Sequence, residues 1–146
     1  VPDDHNQLTS DHGWDTWGYL NFLKEVISRL HENNIRTSIF VDPDVKDIEG
    51  ASEIRTDRIE LYTEPYATFY PIDHSQAIAP FIKAAKMADN LGIDVNAGHD
   101  LSLENLNYLY HKIPNLKEVS IGHALIADAL YLGLETTIKK YLDCLR

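Results

Sequence analysis

Cysteine, positive charge and long apolar runs are all scarce in this sequence. The single cysteine, Cys144, excludes an internal disulfide framework and fits a reducing compartment such as the cytoplasm. Thirteen Lys and Arg stand against 23 Asp and Glu, giving a formal net charge of −10. General nucleic-acid and anionic-membrane binders need clustered cations, so neither class is expected. No apolar run approaches the ~20 residues of a membrane span. A small anionic ligand remains possible, because a few local N–H groups can bind one.

The chain also lacks an initiator methionine. Its 146 residues are enough for one domain with a real core. It opens on Val1-Pro2, which looks like the tail of an element already under way. We therefore expect a fragment of a longer protein, with 1–146 forming part of a single domain.

Hydrophobic periodicity predicts helices that alternate with strands after a polar loop over residues 1–13. Pro65 and Pro71 indicate a loop after the second strand, and Ser102 is a candidate N-cap. Pro80 falls inside a helical pattern, so that helix could begin nearer Ala79. The predicted helices are 16–34, 42–53, 74–90, 103–113, 124–132 and 134–146, and the predicted strands are 37–41, 58–63, 93–97 and 116–121.

This alternation, with no hairpin signal, predicts an α/β fold with a parallel sheet and right-handed crossovers. Two architectures fit the bare pattern. One is half of a (β/α)8 TIM barrel, and the other is an open flavodoxin-like sheet.

Two strands stop at a Gly-His pair and lead directly into a helical pattern. The first ends at Gly98-His99 and the second at Gly122-His123. Such a strand end exposes backbone N–H groups at a positive helix terminus, which suits phosphate. In (β/α)8 barrels a phosphate sits in the loops after strands seven and eight, at a short extra helix. Residues 123–132 are the candidate for that helix.

Working residues of parallel α/β folds collect at the carboxyl ends of strands. His99 could move a proton near neutral pH, or it could simply bond a loop neighbour. Glu60 lies in a strand expected to be buried, so a structural ion pair is the favoured interpretation over a place in the site. A metal site is a weaker alternative, because the ligand spacing is not dense. The full set of strand-end candidates is Asp42, Glu60, Thr63, His99 and His123.

Aromatic residues follow the second strand in a dense run. We interpret this run as a packing or interface patch rather than a platform for stacking ligands. Its members are Tyr62, Tyr66, Phe69 and Tyr70.

Five segments together resemble the C-terminal half of the pyridoxine 5′-phosphate synthase family, (β/α)8-barrel enzymes of vitamin B6 biosynthesis. The Asn-Ala-Gly-His and Ile-Gly-His-Ala pairing is the specific part. The segments are Val1-Pro2 with its polar loop, Ser38-Ile39-Phe40-Val41-Asp42, Arg58-Ile59-Glu60-Leu61-Tyr62-Thr63, Val95-Asn96-Ala97-Gly98-His99 and Ile121-Gly122-His123-Ala124. The resemblance implies that the chain holds strands five to eight of such a barrel.

The resemblance also implies an activity and a set of roles. The family condenses 3-amino-2-oxopropyl phosphate with 1-deoxy-D-xylulose 5-phosphate into pyridoxine 5′-phosphate, phosphate and water, with no metal or organic cofactor. His99 matches the proton-donating histidine and Glu60 the glutamate that stabilises the transition state. Gly122 and His123 match contacts to a substrate phosphate. Thr9 matches a binding threonine in a mobile loop after strand four, here residues 1–13, that covers the site. The family forms symmetric homo-oligomers.

Asp100 departs from the family pattern, in which many members have glycine. Its backbone N–H can still bind phosphate, and we expect its carboxylate to turn away, toward the helix that starts at Ser102. Acid/base residues that the family supplies from strands two and three have no counterpart on this chain. We therefore expect the isolated chain to be inactive or to bind phosphate weakly. The alternative function is a non-catalytic phosphate-binding module of flavodoxin-like form.

Overall fold

The computed structural model describes all of residues 1–146 as seven helices and four strands. The helices are α1 (Leu20–Glu32), α2 (Val45–Ile54), α3 (Glu64–Phe69), α4 (His74–Asn90), α5 (Leu106–Lys112), α6 (His123–Leu132) and α7 (Leu134–Asp143). The strands are β1 (Ser38–Val41), β2 (Arg58–Tyr62), β3 (Asp94–Gly98) and β4 (Leu116–Ser120). The predicted strands are confirmed to within a residue or two at each end. None of the helices is both long and apolar enough to cross a membrane.

The four strands form one parallel sheet in the order β1-β2-β3-β4. The α/β prediction is thereby confirmed. A flavodoxin-like sheet has the order 2-1-3-4-5, which reverses direction after the first connection. Strictly sequential order has no such reversal, so the flavodoxin-like alternative is wrong for these strands.

The two faces of the sheet differ in chemistry. On one face, alternate residues of each strand join the helices in a single buried core, exemplified by Val41, Leu61 and Ala97. This pattern is the period-two alternation of strands. The opposite face is largely polar and carries no helix. Its residues include Phe40, Arg58, Glu60, Tyr62, Asn96, Gly98 and Ser120, which share rows in the strand register.

The helix predicted from Thr16 begins only at Leu20. Thr16 is fully buried, and its hydroxyl donates to the Asp47 carbonyl in α2 at 3.1 Å. The Trp17 indole N–H donates to the Lys46 carbonyl at 2.8 Å. These contacts bind the segment to α2, and local turns replace the first predicted helical turn. The predicted start was wrong because tertiary contacts outweighed local propensity.

Two further predictions need correction. The loop expected around Pro65 contains α3, with Pro65 in its first turn, where a missing N–H is harmless. Helix α5 begins later than predicted, at Leu106, so Ser102 is not its N-cap residue. The Ser102 hydroxyl caps the turn before the helix, where it accepts from the Glu104 N–H at 3.3 Å. The Asn105 side chain closes the same turn by accepting from the Ser102 N–H at 2.9 Å. By contrast, α4 runs unbroken from His74 through the exposed Pro80, as predicted.

Candidate active site

A cavity of about 700 Å³ opens at the carboxyl ends of β3 and β4. Six residues were given roles by the family resemblance, and five of them line this cavity: Thr9, His99, Asp100, Gly122 and His123. The sixth, Glu60, lies beside the cavity and is hydrogen-bonded to the lining residue Ser120. Backbone and side chains from loop 1–13, the β3–α5 loop and the start of α6 meet here. The principal lining residues are Thr9, His99, Asp100, Ser120, Gly122 and His123.

The backbone at the end of β3 turns through two successive residues in the left-handed region. His99 has φ 93° and Asp100 has φ 58°. Residues other than glycine adopt such angles rarely, so the surrounding structure must hold them. The Thr63 hydroxyl, fully buried, donates to the His99 carbonyl. Thr63 therefore fixes the turn that points the His99 side chain.

The His99 imidazole contacts three neighbours. Its Nε2 is hydrogen-bonded to the Thr9 hydroxyl at 2.9 Å, across 90 residues of sequence. Its Nδ1 lies 3.4 Å from Oδ2 of Asp100, within ion-pair distance but without hydrogen-bond geometry. The Tyr62 ring meets it edge-on, with centroids 5.0 Å apart. The His99 side chain is only 17% exposed, so these contacts fix the imidazole and it is not a solvated loop residue.

Glu60 forms no ion pair, so the structural pair favoured from sequence is wrong. The Ser120 hydroxyl donates to Oε2 of Glu60 at 3.3 Å. Burial raises the pKa of this carboxyl, and the nearby Glu118 charge adds to the effect. Oε1 lies over Gly98, where a Cβ would come within 2.3 Å of it. Glu60 is thus a half-buried carboxylate without a cation, seated against a glycine.

Asp100 does not take the direction expected from sequence. Its carboxylate lies beside the His99 ring, with Oδ2 3.4 Å from Nδ1. The turn at Ser102 is completed by Asn105, whose side-chain amide donates to the Asp100 carbonyl at 3.2 Å. The physical reason is that Asn105 already satisfies the turn, while the imidazole offers the carboxylate a polar neighbour.

Helix α6 begins at His123 with Gly122 as its N-cap, and no side chain caps it. Its first-turn N–H groups therefore have no acceptor within the helix, and they carry the positive end of the helix dipole. A Cβ at Gly122 would meet no atom within 4 Å. The open space and the exposed N–H groups suit an anion with several oxygens, such as phosphate.

Not every strand-end residue joins this cavity. Asp42 accepts from the Gly13 N–H at 3.3 Å and lines a separate cavity with Trp14 and Asp47. No group of three or more His, Cys, Asp or Glu side chains is arranged to hold a metal ion. The metal site considered from sequence, made of Asp42, Glu60, His99 and His123, is therefore not formed.

Ser120 and Tyr62 were not identified as site residues from sequence. Ser120 pairs with Gly98 in the strand register, so its place beside Glu60 follows only once the register is known. Tyr62 was interpreted as part of an aromatic patch. The packing interpretation holds for Tyr66, which is fully buried and donates to the Asn105 carbonyl at 2.7 Å.

The whole chain, residues 1–146, matches the family model described as Pyridoxal phosphate biosynthesis protein PdxJ. Curated proteins named pyridoxine 5′-phosphate synthase are closely similar. Those of Bacteroides fragilis and Bacteroides thetaiotaomicron are 62% and 60% identical over all 146 residues. That of Christiangramia forsetii is 57% identical over the same length. The chain spans 62% of the length of each of these three relatives.

Among solved structures, a chain of the Amycolatopsis orientalis BexX/CysO complex has a similar fold. The TM-score is 0.58 at 16% sequence identity, covering 90% of this chain and 50% of the other. At that identity the likeness concerns the fold alone.

Proposed function

The chain belongs to the PdxJ family of pyridoxal phosphate biosynthesis proteins, and from this membership we propose that it acts as a pyridoxine 5′-phosphate synthase. The proposed reaction condenses 3-amino-2-oxopropyl phosphate with 1-deoxy-D-xylulose 5-phosphate, giving pyridoxine 5′-phosphate, phosphate and water. The observation that carries the proposal is a convergence at one cavity. The imidazole of His99 and the uncapped start of α6 line it, and the carboxylate of Glu60 lies beside it, bonded to the lining residue Ser120.

The finer architecture is part of the proposal. The four strands would be strands five to eight of a (β/α)8 barrel, with the polar sheet face turned to the barrel interior. Residues 1–13 would be the loop after strand four, and α6 the short phosphate-site helix. The sequential strand order supports this arrangement, as does the buried core that the helices share with the opposite face of the sheet.

His99 is proposed to donate a proton to a leaving or carbonyl oxygen. The Thr63 hydroxyl and the Tyr62 ring hold its orientation, so the imidazole is placed before substrate arrives. Nε2 is the atom that faces the loop through Thr9, and it is the proposed donor.

Glu60 is proposed to stabilise a cationic or imine intermediate. Since no cation of this chain pairs with it, the carboxylate charge is available to a substrate nitrogen. Its partial burial strengthens that interaction, because water screens it less.

The phosphate of one substrate is proposed to bind at the start of α6. The backbone N–H groups of Gly122, His123 and Asp100 would donate to its oxygens, and the His123 side chain would reach it from the exposed helix end. Binding energy from this non-reacting group would position the reactive carbonyl against His99.

The remaining parts of the proposal follow from the family resemblance. No metal or organic cofactor is needed, the location is cytoplasmic, and the assembly is a homo-oligomer. The 146-residue chain by itself would be inactive, since the resemblance assigns further acid/base residues to earlier strands.

The decisive assay follows pyridoxine 5′-phosphate formation by the full-length protein with both phosphorylated substrates. His99→Asn and Glu60→Gln should each lower the rate by about 10²–10⁴-fold, the usual contribution of such groups. His111→Asn, on the exposed face of α5, is the matched control and should leave the rate unchanged. Wild-type protein that binds both substrates and forms no product would overturn the proposed function.

Phosphate binding can be tested separately with Gly122→Ala. The added Cβ meets no protein atom, so the fold should lose only the small preference for glycine over alanine at an N-cap, about 1 kcal/mol or less. It would occupy the space offered to the anion, and the affinity for inorganic phosphate should fall at least tenfold. Gly92→Ala is not a suitable control because Gly92 has φ 73°. Ala129→Gly, in the second turn of α6 and outside the residues that line the cavity, controls for changes in the helix.

A further inference from the structure

Arg58 and Glu60 lie two residues apart on β2, and both project from the polar face of the sheet. Strand geometry places their Cα atoms roughly 7 Å apart, so an arginine side chain could reach the Glu60 carboxylate. Arginine and glutamate at this spacing, half buried together, would ordinarily form an ion pair. They do not do so here.

The Arg58 guanidinium turns toward other partners. Its Nη1 donates to Oε2 of Glu118 on β4 at 3.0 Å, and it lies 3.4 Å from Oδ1 of Asn96. Its Nε lies 3.5 Å from Oδ2 of Asp94. The side chain is only 14% exposed, so the guanidinium is held within this polar layer.

Glu118 is the partner that orients the Arg58 side chain toward β4. It shares a register row with Glu60, separated from it by Asn96 on β3. Its carboxylate makes the shortest of the three contacts to Arg58, and its own side chain is 59% exposed. Asp94 is a weaker partner for Arg58, because its carboxylate also lies 3.9 Å from the Lys117 ammonium.

We propose that Glu118 is a positioning residue for the active site: by binding the Arg58 guanidinium, it keeps that cation away from Glu60. This inference rests on the proposed function, in which an unpaired Glu60 stabilises positive charge on substrate. An arginine paired with Glu60 would neutralise the carboxylate and compete with the substrate nitrogen. The cost of leaving Glu60 unpaired is modest, since it keeps the Ser120 hydrogen bond.

The charged side chains near Glu60 lie on β2 and β4. Its own strand contributes Arg58, and β4 contributes Glu118, whose negative charge opposes ionisation of Glu60. The facing residues of β1 and β3 are uncharged, Phe40 and Asn96. Arg58 is the positively charged side chain among these neighbours.

The test is the titration of the Glu60 carboxyl in the full-length protein, followed by its ¹³C resonance, which Glu60→Gln assigns. Glu118→Gln keeps the shape of an exposed side chain and releases Arg58. The Glu60 midpoint should then fall by about one pH unit or more, a tenfold change in its acid constant. Asp94→Asn, which leaves Glu118 in place, is the matched control and should shift the midpoint far less.

Loss of the Glu118 charge would by itself lower the midpoint, so two further variants separate the causes. Glu118→Asp keeps the charge but shortens the side chain, and it should also lower the midpoint because Arg58 is loosened. Arg58→Gln combined with Glu118→Gln should return the midpoint to within a few tenths of a unit of wild type. Equal shifts in the single and double variants, with none in Glu118→Asp, would overturn the proposal.

Steady-state kinetics provide the second readout. Glu118→Gln should lower kcat and leave KM for the phosphorylated substrates nearly unchanged, because the phosphate contacts are elsewhere. Asp94→Asn should leave both nearly unchanged. The titration does not depend on turnover. Full-length protein without ring formation, but with the stated shifts, would refute the proposed function while supporting the placement of Arg58.

Discussion

Gly98→Ala should damage the candidate site more than any other single-methyl change. An ideal Cβ at this position would come within 2.3 Å of Oε1 and 3.2 Å of Cδ of Glu60. It would also lie 2.9 Å from Cβ of Ser120. These separations are far below van der Waals contact, so the Glu60 carboxylate must move. Gly98 does not have a positive φ, so the effect is steric rather than a backbone strain.

The magnitude follows from two opposing effects. Overpacking a closely packed position costs about 1–3 kcal/mol. Replacing glycine with alanine stabilises by about 0.4–1 kcal/mol through the unfolded state, when the native angles are compatible. The expected net loss in the free energy of unfolding is therefore about 1–2 kcal/mol. Displacement of Glu60 should also lower the rate of ring formation in the full-length protein.

A double-mutant cycle with Glu60→Ala identifies the clash. Urea unfolding would be measured for the wild type, both single variants and the double variant. Truncating Glu60 removes its two atoms from the clash and leaves only the Ser120 contact, so Gly98→Ala should cost less than half as much in that background. Equal costs in the two backgrounds would refute the argument that Gly98 makes room for Glu60.

Three further predictions concern the frame around the site. Thr63→Val should lower the free energy of unfolding by about 1–3 kcal/mol, because the His99 carbonyl loses its hydrogen-bond donor. Thr63→Ser keeps the hydroxyl and should retain most of the wild-type stability. Urea unfolding measures both variants. Gly50→Ala should destabilise the fold although alanine has the better helix propensity, because a Cβ would lie 2.1 Å from the Thr16 hydroxyl oxygen. A melting temperature above that of the wild type would contradict this prediction. Hydrogen bonds from Thr37 lower the pKa of Asp57, and the His31 contact adds a smaller effect in the same direction. The ionised carboxylate therefore stabilises the fold above a pH of about 4, and this stabilisation is lost as the pH falls. Asp57→Asn should therefore be less stable than wild type near neutrality, and the two unfolding curves should converge in acid.

Much of the fold could be predicted from sequence because local and global signals agree. Alternating helical and strand periods gave all four strands, and Gly133 separated α6 from α7 as expected. The errors fall where tertiary contacts replace a local preference. Thr16 bonds to α2 instead of beginning a helical turn, and Ser102 caps a turn that precedes α5 instead of α5 itself.

The site was predictable in its membership but only partly in its geometry. Position at strand ends and family resemblance placed His99, Gly122 and His123 at one cavity. Neither could show that Glu60 is unpaired, because that depends on where Arg58 points. Side-chain direction in a polar layer is set by competition among several partners, and no periodicity encodes it. The Asp100 carboxylate was mispredicted for the same reason.

Nε2 of His99 is both the atom bonded to Thr9 of the loop and the proposed proton donor. An exposed bond of this kind contributes only about 0.5–1.5 kcal/mol, so thermal motion breaks it often. A substrate oxygen that is to receive a proton from Nε2 must displace the Thr9 hydroxyl from the same position. In the proposed mechanism, loop attachment through Thr9 and proton transfer from Nε2 would therefore exclude each other. The Thr9 hydroxyl would occupy Nε2 until substrate replaces it.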